Sequence, residues 1–139
     1  MTIYVFGNQD LNFDNIPTKI LHQLQAEFPH IHFEHRDPNE DMEFDDDCVI
    51  IDTVQGIDAV TVFADLQQFV SAPHISMHDL DLYATLRLMQ KLGKIKQIYI
   101  IGVPQTISVP EAFDQTKMVI ASLLSKNETR TTCTDHTRE

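Results

Sequence analysis

Apolar positions in this chain follow two alternating patterns, short uniform runs of strand length and longer stretches at helical spacing. Ile3-Tyr4-Val5-Phe6 is a compact apolar run closed by Gly7-Asn8, which predicts a strand followed by a turn. A loop carrying Asp14 follows, and Pro17 suits the first turn of a helix. In that helix Ile20, Leu21, Leu24 and Phe28 recur at helical spacing until Pro29 stops it. Ile31 and Phe33 alternate with His30, His32 and Glu34, predicting a half-exposed strand that ends near His35. Arg36-Asp37-Pro38-Asn39 reads as a turn, and Glu40–Asp47 is strongly acidic.

The second half repeats this grammar without repeating the sequence. Cys48-Val49-Ile50-Ile51 is too uniformly apolar for a half-exposed strand, so it belongs in the middle of a sheet. Residues Val54 to Asp58 read as a loop, and Ala59–Ala64 as a further strand, the one expected to run antiparallel. Asp79–Leu92 is the clearest helix, with Leu80, Tyr83, Ala84, Leu86, Leu88 and Met89 assigned to its apolar face and Gly93 to its C-cap. Ile98–Ile101 forms another buried strand closed by Gly102-Val103-Pro104, and a last helix is expected over about Pro110 to Leu124. Beyond Lys126 the sequence has no apolar face and is expected to be disordered. The predicted architecture is one domain over residues 1–126 with a polar tail over 127–139. Its fold class is a three-layer α/β sandwich, helices on both faces of a mostly parallel five-stranded sheet.

Candidate chemistry sits where strands give way to loops or helices. Asp14 follows the first strand, Asp52 ends the Cys48–Ile51 run, and His78 stands at the start of the Asp79–Leu92 helix. In α/β proteins the carboxyl ends of the strands converge on one ligand-binding edge. Two carboxylates and an imidazole there would make a divalent-metal site. Each residue also has a plainer reading. Aspartates at strand ends often cap the next turn, and His78 could simply cap its helix. The histidines at 22, 30, 32, 35, 74 and 136 form no competing ligand pattern, and the acidic run is most simply a solvated loop.

Composition narrows the partners. The net charge of −11 argues against nucleic acid or an anionic membrane as main partner. No apolar run approaches the roughly 20 residues of a membrane span. The amino terminus starts directly as a strand and does not read as a signal peptide. Cys48 and Cys133, one in a buried strand and one in the tail, do not suggest a disulfide framework, and a reducing cytoplasm fits best. Ser76 has no nucleophile elbow around it, Cys48 is apolar-flanked, and no phosphate-cradling glycine motif occurs.

Taken in order, strand–Gly7-Asn8–Asp14, strand–Asp52, Ser76-Met77-His78 and strand–Gly102-Val103-Pro104 resemble the nickel–iron hydrogenase maturation proteases. The resemblance covers about residues 1 to 125 and marks a divergent, short member. The family's usual Gly-x-Gly-Asn turn is shortened to Phe6-Gly7-Asn8, and its paired acids become Phe13-Asp14-Asn15. The resemblance implies a cytoplasmic, aspartic-type endopeptidase that removes the C-terminal extension of a hydrogenase large-subunit precursor after nickel insertion. It implies that Asp14, Asp52 and His78 are both the catalytic residues and the ligands of nickel carried by the substrate, with no organic cofactor. It implies substrate recognition by Asp37, Pro38 and Asn39, which replace the glycine-rich loop common in the family. The partner expected is the nickel-loaded precursor, and the enzyme itself is expected to be a monomer. Two other readings stand beside it: a non-catalytic nickel-sensing or chaperone-like α/β domain, which would keep the three ligands, and a flavodoxin-like ligand-binding module, which would not need all three and would bind its ligand independently of metal.

Overall fold

The computed structural model describes residues 2–6, 16–36, 47–54, 56–67 and 77–138, with side chains described throughout these except at 18, 47, 77–82 and 126–138. The elements are β1 (Thr2–Phe6), α1 (Ile16–Glu27), β2 (His32–Arg36), β3 (Asp47–Val54), β4 (Thr61–Phe63), α2 (Met77–Lys91), β5 (Gln97–Pro104) and α3 (Val109–Arg138). The strands form one five-stranded sheet in the order β2-β1-β3-β5-β4. β2, β1, β3 and β5 run parallel, and β4 pairs antiparallel with β5, as the sequence pattern predicts.

Strand alternation divides the apolar residues into two layers. Ile3 and Val5, Val49 and Ile51, and Ile101 and Val103 face one side, where Ile20 and Leu24 of α1 and Ala112 and Ile120 of α3 cover them. Tyr4 and Phe6, Cys48 and Ile50, and Ile98 and Ile100 face the other side, where Leu86 of α2 is fully buried with Tyr83 and Met89 beside it. This is the expected three-layer sandwich. The Val60 N–H donates to Gln115 Oε1 at 2.8 Å, which ties the approach to β4 to α3.

Several boundaries differ from the sequence pattern. β3 continues past Asp52 through Val54, and β5 through Pro104, because the two strands pair without interruption from Asp47↔Gln97 to Val54↔Pro104. Asp52 therefore lies inside a strand rather than at its end. β4 is limited to Thr61–Phe63, since its ladder with β5 spans those residues alone. On α2 the expected apolar face is corrected: Ala84 and Leu88 are exposed. Each lies two residues from the buried Leu86, roughly 200° around the helix and so facing away from the sheet.

α3 starts at Val109 rather than Pro110, with Ser108 as N-cap: the Glu111 N–H donates to Ser108 Oγ at 3.4 Å, and Glu111 completes the Ser-x-x-Glu capping pattern. The backbone stays helical to Arg138, beyond the expected end at Leu124 and through the stretch expected to be disordered. No Gly or Pro follows Pro110 to break it. Among the described residues, no helix is long and apolar enough to cross a membrane.

Candidate functional site

The strand order creates one place where connections diverge. β1 leads through α1 outward to β2, whereas β3 lies on the other flank of β1 and leads to β4 and β5. Between the carboxyl ends of β1 and β3 the sheet therefore has a switch point, the position at which α/β sheets open a crevice for ligands. Val5 of β1 is in register with Ile51 of β3, so β1 ends at Phe6, level with Asp52.

Asp52 is the described side chain at this point. It shares its strand face with Cys48, Ile50 and Val54, so it lies on the layer that α2 covers. It is 7% exposed, and its Oδ2 atom makes no hydrogen bond with the described residues, although Asp52 is engaged in another interaction.

Gly102 of β5 stands directly across from Asp52 in the ladder. A Cβ there would lie 2.9 Å from the Phe63 ring and 2.9 Å from a Val54 methyl, with an Ile57 methyl at 3.4 Å. The missing side chain thus lets Phe63, Val54 and Ile57 close over β5 beside Asp52 and keep that flank apolar. The strand-plus-glycine pattern marks the position, but these contacts depend on β4, whose place at the sheet edge no local motif announces. Thr53 points to the opposite layer; its hydroxyl and that of Thr116 of α3 are buried and find no hydrogen-bond partner among the described residues.

His78 occupies the second position of α2, and its side chain lies outside those described. Its backbone position still places it along the sheet. α2 is followed by the turn 92–96 and then by β5, which starts at the amino edge, so the helix runs antiparallel to its strand. His78 precedes the buried Leu86 by eight positions, about 12 Å along the axis toward the carboxyl edge. His78 and Asp52 thus belong to the same layer and the same half of the sheet. Asp14 lies outside the described residues, within the segment that joins the end of β1 to Ile16 of α1. Asp37, Pro38 and Asn39 also lie outside them, in the segment that leaves β2 after Arg36. Among the described residues no three His, Cys, Asp or Glu side chains gather into a metal-holding group; of the three expected ligands, Asp52 alone has its side chain among them.

On β2, Glu34 joins His32 at 3.3 Å and Arg36 at 2.9 Å, and the Arg36 guanidinium lies 6.0 Å from the centre of the Tyr4 ring. Desolvation pushes the Glu34 carboxyl up, but hydrogen bonds and charge attraction from His32 and Arg36 outweigh it and hold the group below its usual value. These contacts join alternate residues of one strand, so the cluster reads as a charged row along the edge strand β2.

No protein-family model matches this chain, and no curated protein matches it by sequence. Its fold is nevertheless found among solved structures. The hydrogenase maturating endopeptidase HybD from E. coli is similar to it with a TM-score of 0.63 and 20% identity, covering 91% of this chain and 94% of the other. An endopeptidase from Escherichia coli is similar with a TM-score of 0.58 and 18% identity, over 84% and 90% of the two chains. An uncharacterized protein from Wolinella succinogenes is similar with a TM-score of 0.50 and 12% identity, over 92% and 96%. The fold of this chain is therefore that of the hydrogenase maturating endopeptidase.

Proposed function

We propose that this protein is an endopeptidase that trims the C-terminal extension of a nickel–iron hydrogenase large-subunit precursor once nickel has been inserted. The observation that carries the proposal is the placement of Asp52 at the β1/β3 switch point, on the layer whose helix carries His78 in its first turn. The fold shared with an enzyme of that name and the ordered motifs around Asp14, Asp52 and His78 support it.

Nickel reaches the site as part of the substrate. It accepts imidazole, carboxylate and thiolate ligands and stands high in the divalent affinity order. A set of two carboxylates and one imidazole leaves coordination positions open, so a nickel ion held by precursor thiolates can be shared with Asp14, Asp52 and His78. A metal-free precursor lacks that contact energy, and cleavage is thereby made conditional on nickel. Two routes to hydrolysis suit such a set: polarisation of the scissile carbonyl by the ion, or activation of a water with a carboxylate as base.

Incubating the purified protein with nickel-loaded and metal-free precursors, and comparing the masses of the products, tests this directly. Shortening of the loaded precursor alone is the expected result. Nickel-dependent binding without shortening would favour a non-catalytic nickel sensor. Indifference to the precursor in both forms would sink the proposal.

A further inference from the structure

The outward face of α2 carries a feature that plays no part in the candidate site. Leu88 of α2 and Leu92, the residue that follows the helix, are 57% and 61% exposed and one turn apart, on the side away from the buried Leu86. Exposed Ala84 precedes them by one further turn. Arg87 and Lys91, each one residue before a stripe leucine and so on one flank of it, and Lys94 just past the helix are all exposed; with Lys96 they make up four of the 10 lysines and arginines in a chain of net charge −11.

The surface is rigidly built. The Gly93 N–H donates to the Gln90 carbonyl at 3.1 Å and the Lys94 N–H to the Met89 carbonyl at 2.9 Å, with Gly93 at φ 76°. This pair of bonds is a Schellman closure, which suits a residue free to adopt positive φ. Buried Ile95 then pins the turn to the core. Favourable interaction with the helix dipole accounts for cations near the end of α2. It does not account for Arg87, more than a turn earlier, or for two leucines turned to water where polar residues would serve.

We propose that this face, Leu88 and Leu92 flanked on one side by Arg87 and Lys91 with Lys94 just beyond, docks an acidic protein segment that carries apolar side chains. Charge complementarity selects that partner. An extended polyanion such as nucleic acid or an anionic membrane meets the repulsion of the whole chain, whereas a short acidic segment interacts mainly within one Debye length, about 8–10 Å, where the local cations dominate. The leucines supply the desolvated centre and the cations one flank of a polar rim, the usual anatomy of a specific interface. Lys96 already has an interaction of its own and closes the corner where Gln97 pairs with Asp47. The face lies toward the amino edge of the sheet, at the far end of α2 from His78, so an occupant would leave the carboxyl edge open.

The test is titration of the isotope-labelled full chain with a synthetic acidic peptide bearing leucines at helical spacing, followed by NMR. Amide shifts confined to residues 84–96, an affinity that falls steeply with added salt, and weakening by about tenfold or more in a Leu88→Ser, Leu92→Ser double variant are expected. Both leucines are exposed, so that variant should melt like the parent, and a Lys91→Glu, Lys94→Glu variant gives an independent check on the charge. Absence of binding, shifts elsewhere, or equal binding by both variants would overturn the proposal. So would preferential binding to anionic phospholipid vesicles. A second copy of this chain, whose Glu40–Asp47 run sets Met42 and Phe44 among six acids, is the remaining occupant. Concentration-dependent dimerisation abolished by the leucine variant, without binding of the peptide, would overturn docking of a separate partner and assign the face to a second copy. Peptide cleavage is not part of these measurements, so their failure and that of the proposed activity are separable.

Discussion

At the residue scale, Asp52 and Gly102 face each other across the β3–β5 ladder and divide the work of the site: one brings charge, the other makes room. Substituting Gly102 by Ala drives a methyl into Phe63 and Val54, both packed in the layer under α2. Overpacking of this kind costs about 1–3 kcal/mol, so Gly102→Ala should lower the denaturant midpoint by a corresponding amount. An unchanged midpoint would mean that β4 yields readily and does not wall the site. His78→Ala and Asp14→Asn should abolish precursor processing while leaving thermal stability unchanged or raised, since gathering carboxylates without their cation is unfavourable. Normal processing by His78→Ala would remove that residue from the mechanism. Asp52→Ala is a poorer probe, because the residue is buried inside a strand and its loss mixes chemistry with folding.

At the element scale, among the described side chains of α2 it is Leu86 that is buried against the sheet, with Tyr83 and Met89 at its sides. Leu86→Ala should cost about 2–5 kcal/mol in chemical denaturation, the usual range for a buried leucine. A loss well below that range would mean that Tyr83 and Met89 suffice to seat the helix. The proposed role of residues 37–39 in selectivity belongs to this scale. β2 is parallel to β1, and its pairing ends at Phe6↔Arg36, so residues 37–40 depart from the same carboxyl edge that carries Asp52. Pro38 restricts its own φ and biases Asp37 toward extended geometry. A stiff loop loses less entropy on docking and accepts fewer shapes. Replacing Pro38-Asn39 by Gly-Gly should therefore alter the choice among precursors far more than nickel affinity. Unchanged processing of cognate and non-cognate precursors would reduce the loop to a connector.

At the scale of the molecule, acid stability should include a small contribution from the His32–Glu34–Arg36 row. The folded-state pKa of Glu34 is depressed, so its stabilisation is complete above the ordinary glutamate value and is lost as pH falls through the lower folded value. The pair with Arg36 is partly exposed, which keeps the effect small and salt-sensitive. Comparing Glu34→Gln with the parent, the stability difference should vanish in strong acid and grow above the carboxylate range. A difference independent of pH would point to packing of Arg36 on Tyr4 instead.

Local pattern determined much of this protein. Runs such as Ile3–Phe6 and Cys48–Ile51 are apolar on both faces, which suffices to place them centrally between two helical layers. The Gly93 C-cap and the order of elements were legible for the same reason, since each depends on neighbours in sequence. What the tertiary structure decided depends on pairing between distant segments. The placement of β3 between β1 and β5 sets the switch point beside Asp52, and the unbroken β3–β5 register carries both strands past Asp52 and Gly102. The orientation of α2 on the sheet chose Leu86 over Leu88 as the buried residue, though both satisfy the same apolar pattern. A helix of mixed apolar positions can present more than one face, and only the surface it meets selects which face loses its water.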